Sequence, residues 1–464
     1  MTSGPPSART AVRVAAVAAL GGLIFGYDVS LINSAVGAVQ DAFRVGNALL
    51  GFAAAASLLG GMVGALTTGW IADRAGRRAA MMLAAALFLA GAVGAGLATS
   101  IGALIGGRLV AGLGIGVASV VTPAYIAEIS PPHIRGRLGT LQQLAIVSGI
   151  LVALVVDWLM AELAGGSGGT LWLGLPAWRW MFLGEAVPAL LYGALVGTIP
   201  ESPRHLIAVH QLPAARRVIA RLFGAANVDA TVDRISQTLR HETPPSWRDL
   251  RRPAGGLYPI VWVGLGLAIF QQFVGINVIF FYSKVLWQAV GFDEGASFAI
   301  SVITAAVNVL ITVVAIGLID RVGRRPLLLG GSAGMAAMLA TLTVTFATAP
   351  VADGKPHLVG VAGPIALVAA NVFVVAFAVS WGPILWVLLG EMFPNRIRAA
   401  ALGLAVAAQW VANWVIAASF PALRDVLPLA YGCYTANAVL SGVFVWRWVR
   451  ETKGVALEDM PGHG

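Results

Sequence analysis

Charged side chains are scarce in this chain of 464 residues, where they make up 11% of the total. An average soluble domain carries about 25% charged residues. Hydrophobic residues account for 58%, and the mean hydropathy is +0.83. This composition excludes an ordinary soluble domain and indicates that most of the chain is surrounded by lipid or by its own apolar side chains.

Cysteine is almost absent, since Cys433 is the single one. One cysteine excludes a disulfide framework and a paired-cysteine metal motif within the chain. The histidines lie in predicted loops, the linker or the tail, without metal-ligand spacing to carboxylates. No arrangement of nucleophile, base and orienting group is visible, so we expect neither an enzyme nor a bound metal or cofactor.

The chain is nevertheless basic, with 30 Lys+Arg against 21 Asp+Glu and a formal net charge of +9. A basic chain is a candidate for nucleic-acid binding. Here the basic residues fall in short connections on alternate sides of apolar runs, which is typical of cytoplasmic loops in membrane proteins. We therefore expect membrane lipid and no nucleic acid as a partner.

Twelve apolar runs are each long enough to cross a bilayer, which takes about 20 residues in a helix. They lie near 12–37, 48–72, 79–98, 101–125, 138–160, 178–199, 257–288, 297–319, 326–348, 360–390, 397–420 and 427–449. The first run continues past Asp28 without a convincing cleavage site, so it is interpreted as a retained helix and not as a secretory signal. The pattern predicts an all-α membrane protein with twelve transmembrane helices in two six-helix bundles.

A polar, arginine-rich segment separates the sixth run from the seventh and divides the chain into four predicted regions. These are an N-terminal bundle (1–200), a linker (201–252) with short amphipathic helices, a C-terminal bundle (253–450) and a short tail (451–464). Arginine-rich loops alternate with loops poor in Lys and Arg, which places both termini in the cytoplasm. The Ala- and Arg-rich composition favours a bacterial plasma membrane, the inner membrane where there are two.

Two motifs recur in register in the two halves of the chain. Asp73-Arg-Ala-Gly-Arg-Arg78 recurs as Asp320-Arg-Val-Gly-Arg-Arg325, and Glu128 with Arg135 recurs as Glu391 with Arg398. Parallel repeats of six helices place a substrate site between the halves, near the middle of the membrane.

Eight segments together carry a family resemblance. They are FGYD at 25–28, GRLVAGLGIGVAS at 107–119, PAYIAEISPPHIRG at 123–136, PESPR at 200–204, QQFVGIN at 271–277, WGPILW at 381–386, GEMFP at 390–394 and ETKG at 451–454. In this order and spacing they resemble the sugar porters of the major facilitator superfamily, over essentially the whole chain. The resemblance implies the major facilitator fold and transport of a monosaccharide, and we expect a monomer.

Two positions depart from the family pattern. Arg450 stands where the family has a proline before Glu-Thr-Lys-Gly, which would alter a cytoplasmic latch. Phe281 replaces the first residue of a tyrosine pair, so that Tyr282 alone donates a hydroxyl at the outer gate that the resemblance implies.

A monosaccharide is neutral, and its hydroxyl groups both donate and accept hydrogen bonds, so its site needs side chains that do both. Intramembrane amides meet this need and are costly when unsatisfied, which marks them as functional candidates. The predicted substrate site contains Gln143, Gln271, Gln272, Asn277, Asn308, Gln409 and Asn413, with Phe25, Trp386 and Trp410 placed by the resemblance to cover the apolar face of a pyranose. The alternative is that such amides join helices to one another.

Two apolar residues border the predicted site by resemblance, and they bear on which sugar fits. Ile150 and Phe280 are bulkier or less polar than their counterparts in xylose-type relatives. Their apolar bulk favours a hexose, with glucose as the first candidate, although plain packing explains them equally well.

Asp28 and Arg108 are charges inside the first and fourth apolar runs, and the resemblance implies that they face each other. Burial raises the pKa of a carboxyl group, whereas a nearby guanidinium lowers it. A conformational change that alternately joins and separates the two residues would therefore make Asp28 bind and release a proton. The passive facilitators of the family typically have Asn here, so Asp28 favours proton symport. A passive uniporter with a structural ion pair, and a non-transporting sugar sensor, are the alternatives.

Charged residues at the predicted cytoplasmic face form the last candidate group. Together with Tyr282 the predicted gating residues are Asp73, Arg74, Arg77, Glu128, Arg135, Glu201, Asp320, Arg321, Arg324, Glu391 and Arg398. We expect an ion-pair lattice between the bundles that breaks when the cavity opens inward. A single exposed pair contributes only about 0–1 kcal/mol, which suits a gate that opens repeatedly. The alternative is that these arginines only fix the orientation of the helices in the membrane.

Overall fold

The structure is a computed structural model and describes residues 8–130, 135–224, 228–241, 250–252, 255–289, 291–352, 355–356, 358–393, 397–423 and 426–451. Helices dominate these ranges, and a short antiparallel hairpin joins β1 (Val351–Ala352) to β2 (Lys355–Pro356). Eleven helical segments of the described ranges are long and apolar enough to cross a membrane. The predicted all-α class is therefore confirmed.

The N-terminal bundle contains five long helices and one interrupted helix. They are α1 (Ala8–Phe43), α2 (Asn47–Ala75), α3 (Arg77–Gly96), α4 (Ile101–Ile129), α5 (Arg135–Ala164), α6 (Ala177–Gly184) and α7 (Ala186–Val196). The interruption between α6 and α7 follows from Pro188, which lacks the N–H that would bond the carbonyl of Gly184. The backbone at Glu185 stays in the right-handed helical region. Helices α6 and α7 therefore together form the sixth predicted span.

The linker forms three short helices, α8 (Pro203–Ala208), α9 (Leu212–Phe223) and α10 (Val228–His241). Their apolar faces pack together in a small core that includes Ile207, Ile219 and Val232. The arginines of α9 lie on its outer side, where Arg216 pairs with Asp229. The short amphipathic linker helices predicted from the sequence are present.

The C-terminal bundle repeats the six-span arrangement, with two of its spans interrupted. Its helices are α11 (Pro259–Phe273), α12 (Ile276–Ala289), α13 (Glu294–Val322), α14 (Arg324–Ala347), α15 (Ala362–Val379), α16 (Trp381–Met392), α17 (Arg398–Leu423) and α18 (Leu427–Trp448). The break between α11 and α12 lies at Gly275, whose φ is +82° and where a Cβ would lie 2.7 Å from the ring of Tyr434. The break between α15 and α16 lies at Ser380, three residues before Pro383.

Glycines bring α2 and α4 into direct backbone contact. A Cβ on Gly112 would collide with the carbonyl of Ser57, and a Cβ on Gly116 would collide with that of Gly61. Small residues allow such close approach between helices in a membrane. This packing fixes the position of Arg108, which lies one helical turn before Gly112 in α4.

The two bundles meet mainly along three pairs of helices: α2 with α17, α5 with α13, and α1 with α12. Most residues of the predicted substrate site lie on these helices. Phe25 is in α1, Gln143 in α5, Asn277 in α12, Asn308 in α13 and Gln409 in α17. The predicted site therefore falls at the interface between the bundles.

Candidate functional site

A hydrogen-bonded network of carboxamides surrounds the end of α11. Gln271 Nε2 donates to the carbonyl of Trp381 at 3.0 Å, where α16 begins. Gln271 Oε1 accepts from Gln272 Nε2 at 3.1 Å and from Gln409 Nε2 of α17. Gln271 and Gln272 are 3% and 6% exposed. Their amides are therefore satisfied by protein partners while lying next to each other.

The network continues across the break at Gly275 into α12. Asn277 Nδ2 donates to Gln272 Oε1 and, at 2.9 Å, to Asn413 Oδ1. The break turns the chain so that Gln272 and Asn277 meet across it. In a straight helix, residues five apart point about 140° away from each other. These bonds do not use Gln409 Oε1, Asn277 Oδ1 or Asn413 Nδ2. The network thus leaves both acceptors and a donor, as a ligand rich in hydroxyl groups requires.

Phe25 and Trp410 carry an aromatic contact between the two bundles. Their ring centroids are 5.4 Å apart and their planes are tilted by 47°. Trp410 also covers Gly61 of α2, where a Cβ would lie 3.2 Å from the indole. Trp410 follows Gln409 directly, so aromatic surface and the amide network lie side by side at the interface.

The other predicted substrate residues differ in how far they are buried. Ile150, Phe280 and Asn308 are buried, with 6%, 4% and 6% of their surface exposed, whereas Gln143 is half-buried. Trp386 is 36% exposed on α16 and takes no part in the network of amides described above. The substrate roles of all of these residues, including those in the network, stay predictions.

Asp28 and Arg108 form an ion pair in the interior of the N-terminal bundle. Asp28 Oδ1 lies 2.6 Å from Arg108 Nη1, and both side chains are 1% exposed. Arg108 Nη2 also donates to the carbonyl of Ala54 at 3.1 Å and to Ser57 Oγ at 2.9 Å, both in α2. Among the described residues, Asp28 Oδ2 has no hydrogen-bond partner. The predicted facing pair is present, and its role in proton coupling stays a prediction.

Glu185 is a functional candidate that the sequence analysis missed. It lies at the interruption between α6 and α7, is 1% exposed, and interacts electrostatically with both Asp28 and Arg108. Its Oε1 has no hydrogen-bond partner in the described part of the chain. The signal was available, because an acidic residue inside the apolar run near 178–199 is itself expensive in a membrane.

One end of the molecule, which we call the arginine-rich end, carries the loops between α2 and α3 and between α13 and α14. In the first loop Arg77 pairs with Glu128 at 3.1 Å and with Asp73 at 3.3 Å. The carboxylate of Glu201 accepts from the backbone N–H groups of Arg77 and Arg78 at 3.0 and 3.1 Å. Glu201 thereby caps the start of α3, where the helix dipole favours negative charge.

The second loop repeats this capping with Glu451, the first residue of the ETKG segment, which was not among the predicted gating residues. The carboxylate of Glu451 accepts from the backbone N–H groups of Arg324 and Arg325 at 3.0 and 2.9 Å, at the start of α14. The glycines before the two helices match as well, since Gly76 and Gly323 have φ of +94° and +109°. The repeat seen in the sequence therefore has a common geometry.

None of the contacts given above for this end joins one bundle to the other. Arg74 lies over the ring of Trp70 in its own helix, at 4.5 Å, and Arg321 is exposed. The side chains of Arg135, Asp320, Glu391 and Arg398 lie outside the described residues. A lattice between the bundles at this end thus stays a prediction.

Tyr282 is buried in α12, at the opposite end of the predicted site. Its hydroxyl donates to the carbonyl of Ala417 at 2.8 Å, and its ring lies 5.1 Å from that of Phe420. Both partners belong to α17, so this contact ties together two helices of the C-terminal bundle. Its predicted role at a gate remains untested, and the side chain of Phe281 lies outside the described residues.

Comparison with known proteins places this geometry in a family. The chain matches the family model "Sugar (and other) transporter" over residues 14–462. It is 51% identical to the glucose transport protein of Synechocystis sp., over 99% of both chains. It is 34% identical to the glucose facilitated diffusion protein of Zymomonas mobilis, over 97% of this chain and 96% of that one.

A solved structure of the proton:xylose symporter of E. coli, bound to 6-bromo-6-deoxy-D-glucose, has the same fold. Its TM-score is 0.82 at 34% identity, covering 98% of this chain and 99% of that one. With the multi-pass helical fold and the match along nearly the whole sequence, the chain belongs to the sugar transporter family of the major facilitator superfamily.

Proposed function

We propose that this protein imports a monosaccharide, with glucose as the first candidate, together with a proton by alternating access. The arginine-rich end would face the cytoplasm of a bacterium, in keeping with the bias of arginines toward that side. The observation that carries the proposal is the amide network of Gln271, Gln272, Asn277, Gln409 and Asn413 at the bundle interface.

The network suits a neutral polyol because each carboxamide offers donors and an acceptor without a net charge. A sugar would trade its bonds to water for bonds to Gln409 Oε1 and Asn413 Nδ2 and for some of the bonds that the amides now make to one another. The adjacent rings of Phe25 and Trp410 offer apolar surface to the C–H face of the sugar.

Glucose is favoured over a pentose on two grounds. The apolar side chains of Ile150 and Phe280 are buried at the interface helices, where bulk suits the larger ring. The 51% identical relative is named as a glucose transport protein.

Proton coupling is supported by the buried ion pair of Asp28 and Arg108. A carboxylate in the membrane interior is costly unless it is paired, so a change that pulled α1 away from α4 would favour protonation of Asp28. Glu185 adds a second acid near the same guanidinium. The passive alternative also has a precedent, because one relative is named for facilitated diffusion of glucose.

The test is uptake of labelled glucose by proteoliposomes under an imposed inward proton gradient and membrane potential. A symporter should accumulate sugar, up to about fiftyfold for a driving force of about 100 mV, which contributes about 2.3 kcal/mol per charge. Equilibration without accumulation would leave the passive uniporter. Binding of sugar without any uptake would favour the non-transporting sensor.

A further inference from the structure

A second buried charge cluster lies far from the arginine-rich end. Its centre is Lys284 of α12, which is 3% exposed. Its nearest acid is Glu294, at the first residue of α13. Helix α13 runs for 29 residues from there to the second arginine-rich loop, which corresponds to about 40 Å. The cluster therefore occupies the opposite end of the molecule.

Lys284 bonds to both bundles at once. Its ammonium group donates to the carbonyl of Ser34 in α1 at 2.9 Å and to Ser167 Oγ after α5 at 2.6 Å. Its third bond goes to Glu294 Oε1 of its own bundle at 2.9 Å. An ammonium group has three N–H donors, so all of them are used. The ring of Phe298, 4.5 Å away, closes the site on one side.

Three further hydrogen bonds cross between the bundles at the same place. Asn33 Oδ1 accepts from the backbone N–H of Lys284 at 2.8 Å. The backbone N–H and the hydroxyl of Ser167 both donate to Glu294 Oε1, at 3.1 and 2.7 Å. The Ser167 hydroxyl thus accepts a hydrogen bond from Lys284 and donates one to Glu294, so that these three side chains hold one another in position.

Asp157 completes the cluster from the N-terminal bundle. It lies in α5, is 0% exposed, and interacts electrostatically with Lys284. Its two carboxyl oxygens have no hydrogen-bond partner within the described ranges. The three donors of Lys284 are used by other partners, so Asp157 acts on the lysine through its electric field and not through a hydrogen bond.

We propose that Lys284, held by the Ser34 carbonyl and Ser167 of one bundle and by Glu294 of its own, is a charged latch that locks the two bundles together at the end opposite the arginine-rich loops. Opening of the cavity on that side must break these bonds and expose the lysine to water. The strength of the latch then sets how often the cavity opens there. This inference rests on the proposed transport by alternating access.

The test uses a thiol reporter beneath the latch. Ser301 of α13 is 2% exposed and accepts from Asn33 Nδ2 across the interface at 3.5 Å. A Ser301→Cys variant, made after Cys433→Ser, would be labelled with a maleimide in detergent, where the reagent reaches both ends. Lys284→Met keeps the length of the side chain and removes its bonds, so we expect labelling to be about fivefold faster or more.

A second variant covers the case in which Lys284→Met does not fold. Glu294→Gln removes the negative charge that pairs with Lys284, and the side chain of Glu294 is 36% exposed. We expect this variant, too, to be labelled faster than the wild type. Asp293→Asn is the matched control, because it removes the same charge one residue earlier. Asparagine caps a helix as well as aspartate does, so the bond to the N–H of Ala296 is kept.

The latch is overturned if both Lys284→Met and Glu294→Gln, folded as judged by gel filtration, label at the wild-type rate. It is also overturned if Asp293→Asn accelerates labelling as much as Glu294→Gln does. Sugar counterflow by the wild type separates this result from a failure of the proposed function. Exchange of sugar together with unchanged labelling rejects the latch alone, whereas absence of exchange rejects the function.

Discussion

Asp28 Oδ1 lies 2.6 Å from Arg108 Nη1, and Arg108 also holds Ala54 and Ser57 of α2. Three helices of the N-terminal bundle thus meet at one guanidinium. Loss of the bond to Asp28 would leave Arg108 attached to α2 by two bonds. In the proposed mechanism the arginine is the fixed partner from which the carboxylate of α1 separates.

The first prediction concerns coupling. Asp28→Asn removes the proposed proton acceptor but leaves an oxygen for Arg108, so the site should fold and still exchange sugar. Under a proton gradient, accumulation in proteoliposomes should fall to equilibration, while counterflow persists. Accumulation by Asp28→Asn as high as that of the wild type would contradict coupling through this residue.

The second prediction concerns the stability of the same pair. Arg108→Leu leaves Asp28 as a buried charge without its partner, which costs about 3–5 kcal/mol when one member of a buried pair is removed. Its thermal midpoint in detergent should be well below that of Asp28→Asn. The double variant should recover part of the loss, because it removes both charges. Simple additivity of the two losses would show that the pair is not coupled.

The third prediction concerns the amide network. Gln271 accepts two hydrogen bonds and donates one, so Gln271→Ala leaves several buried amides unsatisfied, each at about 1–3 kcal/mol. We expect the KM for sugar to rise about 5- to 100-fold. The control is Asn437→Ala, whose carboxamide donates only locally to the carbonyl of Cys433 in α18. An equal rise of KM in the control would argue against a specific site.

The fourth prediction concerns the arginine-rich end. Gly76 has φ +94° and ψ 163°, a region open almost only to glycine, and a Cβ there would collide with Glu201. Gly76→Ala should therefore lower the free energy of unfolding by about 1–3 kcal/mol. Gly69→Ala in α2, the helix that Gly76 follows, is the control, since nothing lies within 4 Å of its added Cβ. Thermal unfolding in detergent measures the difference, and equal midpoints would rule out this strain.

Much of the fold was predictable because lipid imposes a simple pattern on the sequence. The twelve apolar runs match the helices closely, and the repeat around Asp73 and Asp320 predicted two similar halves. The interruption of the sixth span at Glu185 was not predicted. A proline near the middle of an apolar run does not by itself tell whether a helix bends or breaks.

The residue types of the candidate site were predictable from the sequence, but the contacts between these residues were not. The amides at 271, 272 and 277 point in different directions on a straight helix, and the break at Gly275 brings Asn277 to Gln272. Glu185, Asp157 and Lys284 were visible as charges within or beside apolar runs. Their partners come from distant segments, which a pattern along the chain does not show.

Counterflow tests the central claim most directly. Proteoliposomes containing the purified wild type and loaded with unlabelled glucose should transiently take up labelled glucose against its gradient, and Gln271→Ala should do so far less at low sugar concentration. If the wild type exchanged none of glucose, xylose, galactose and fructose, the assignment of the amide network to a sugar would be wrong.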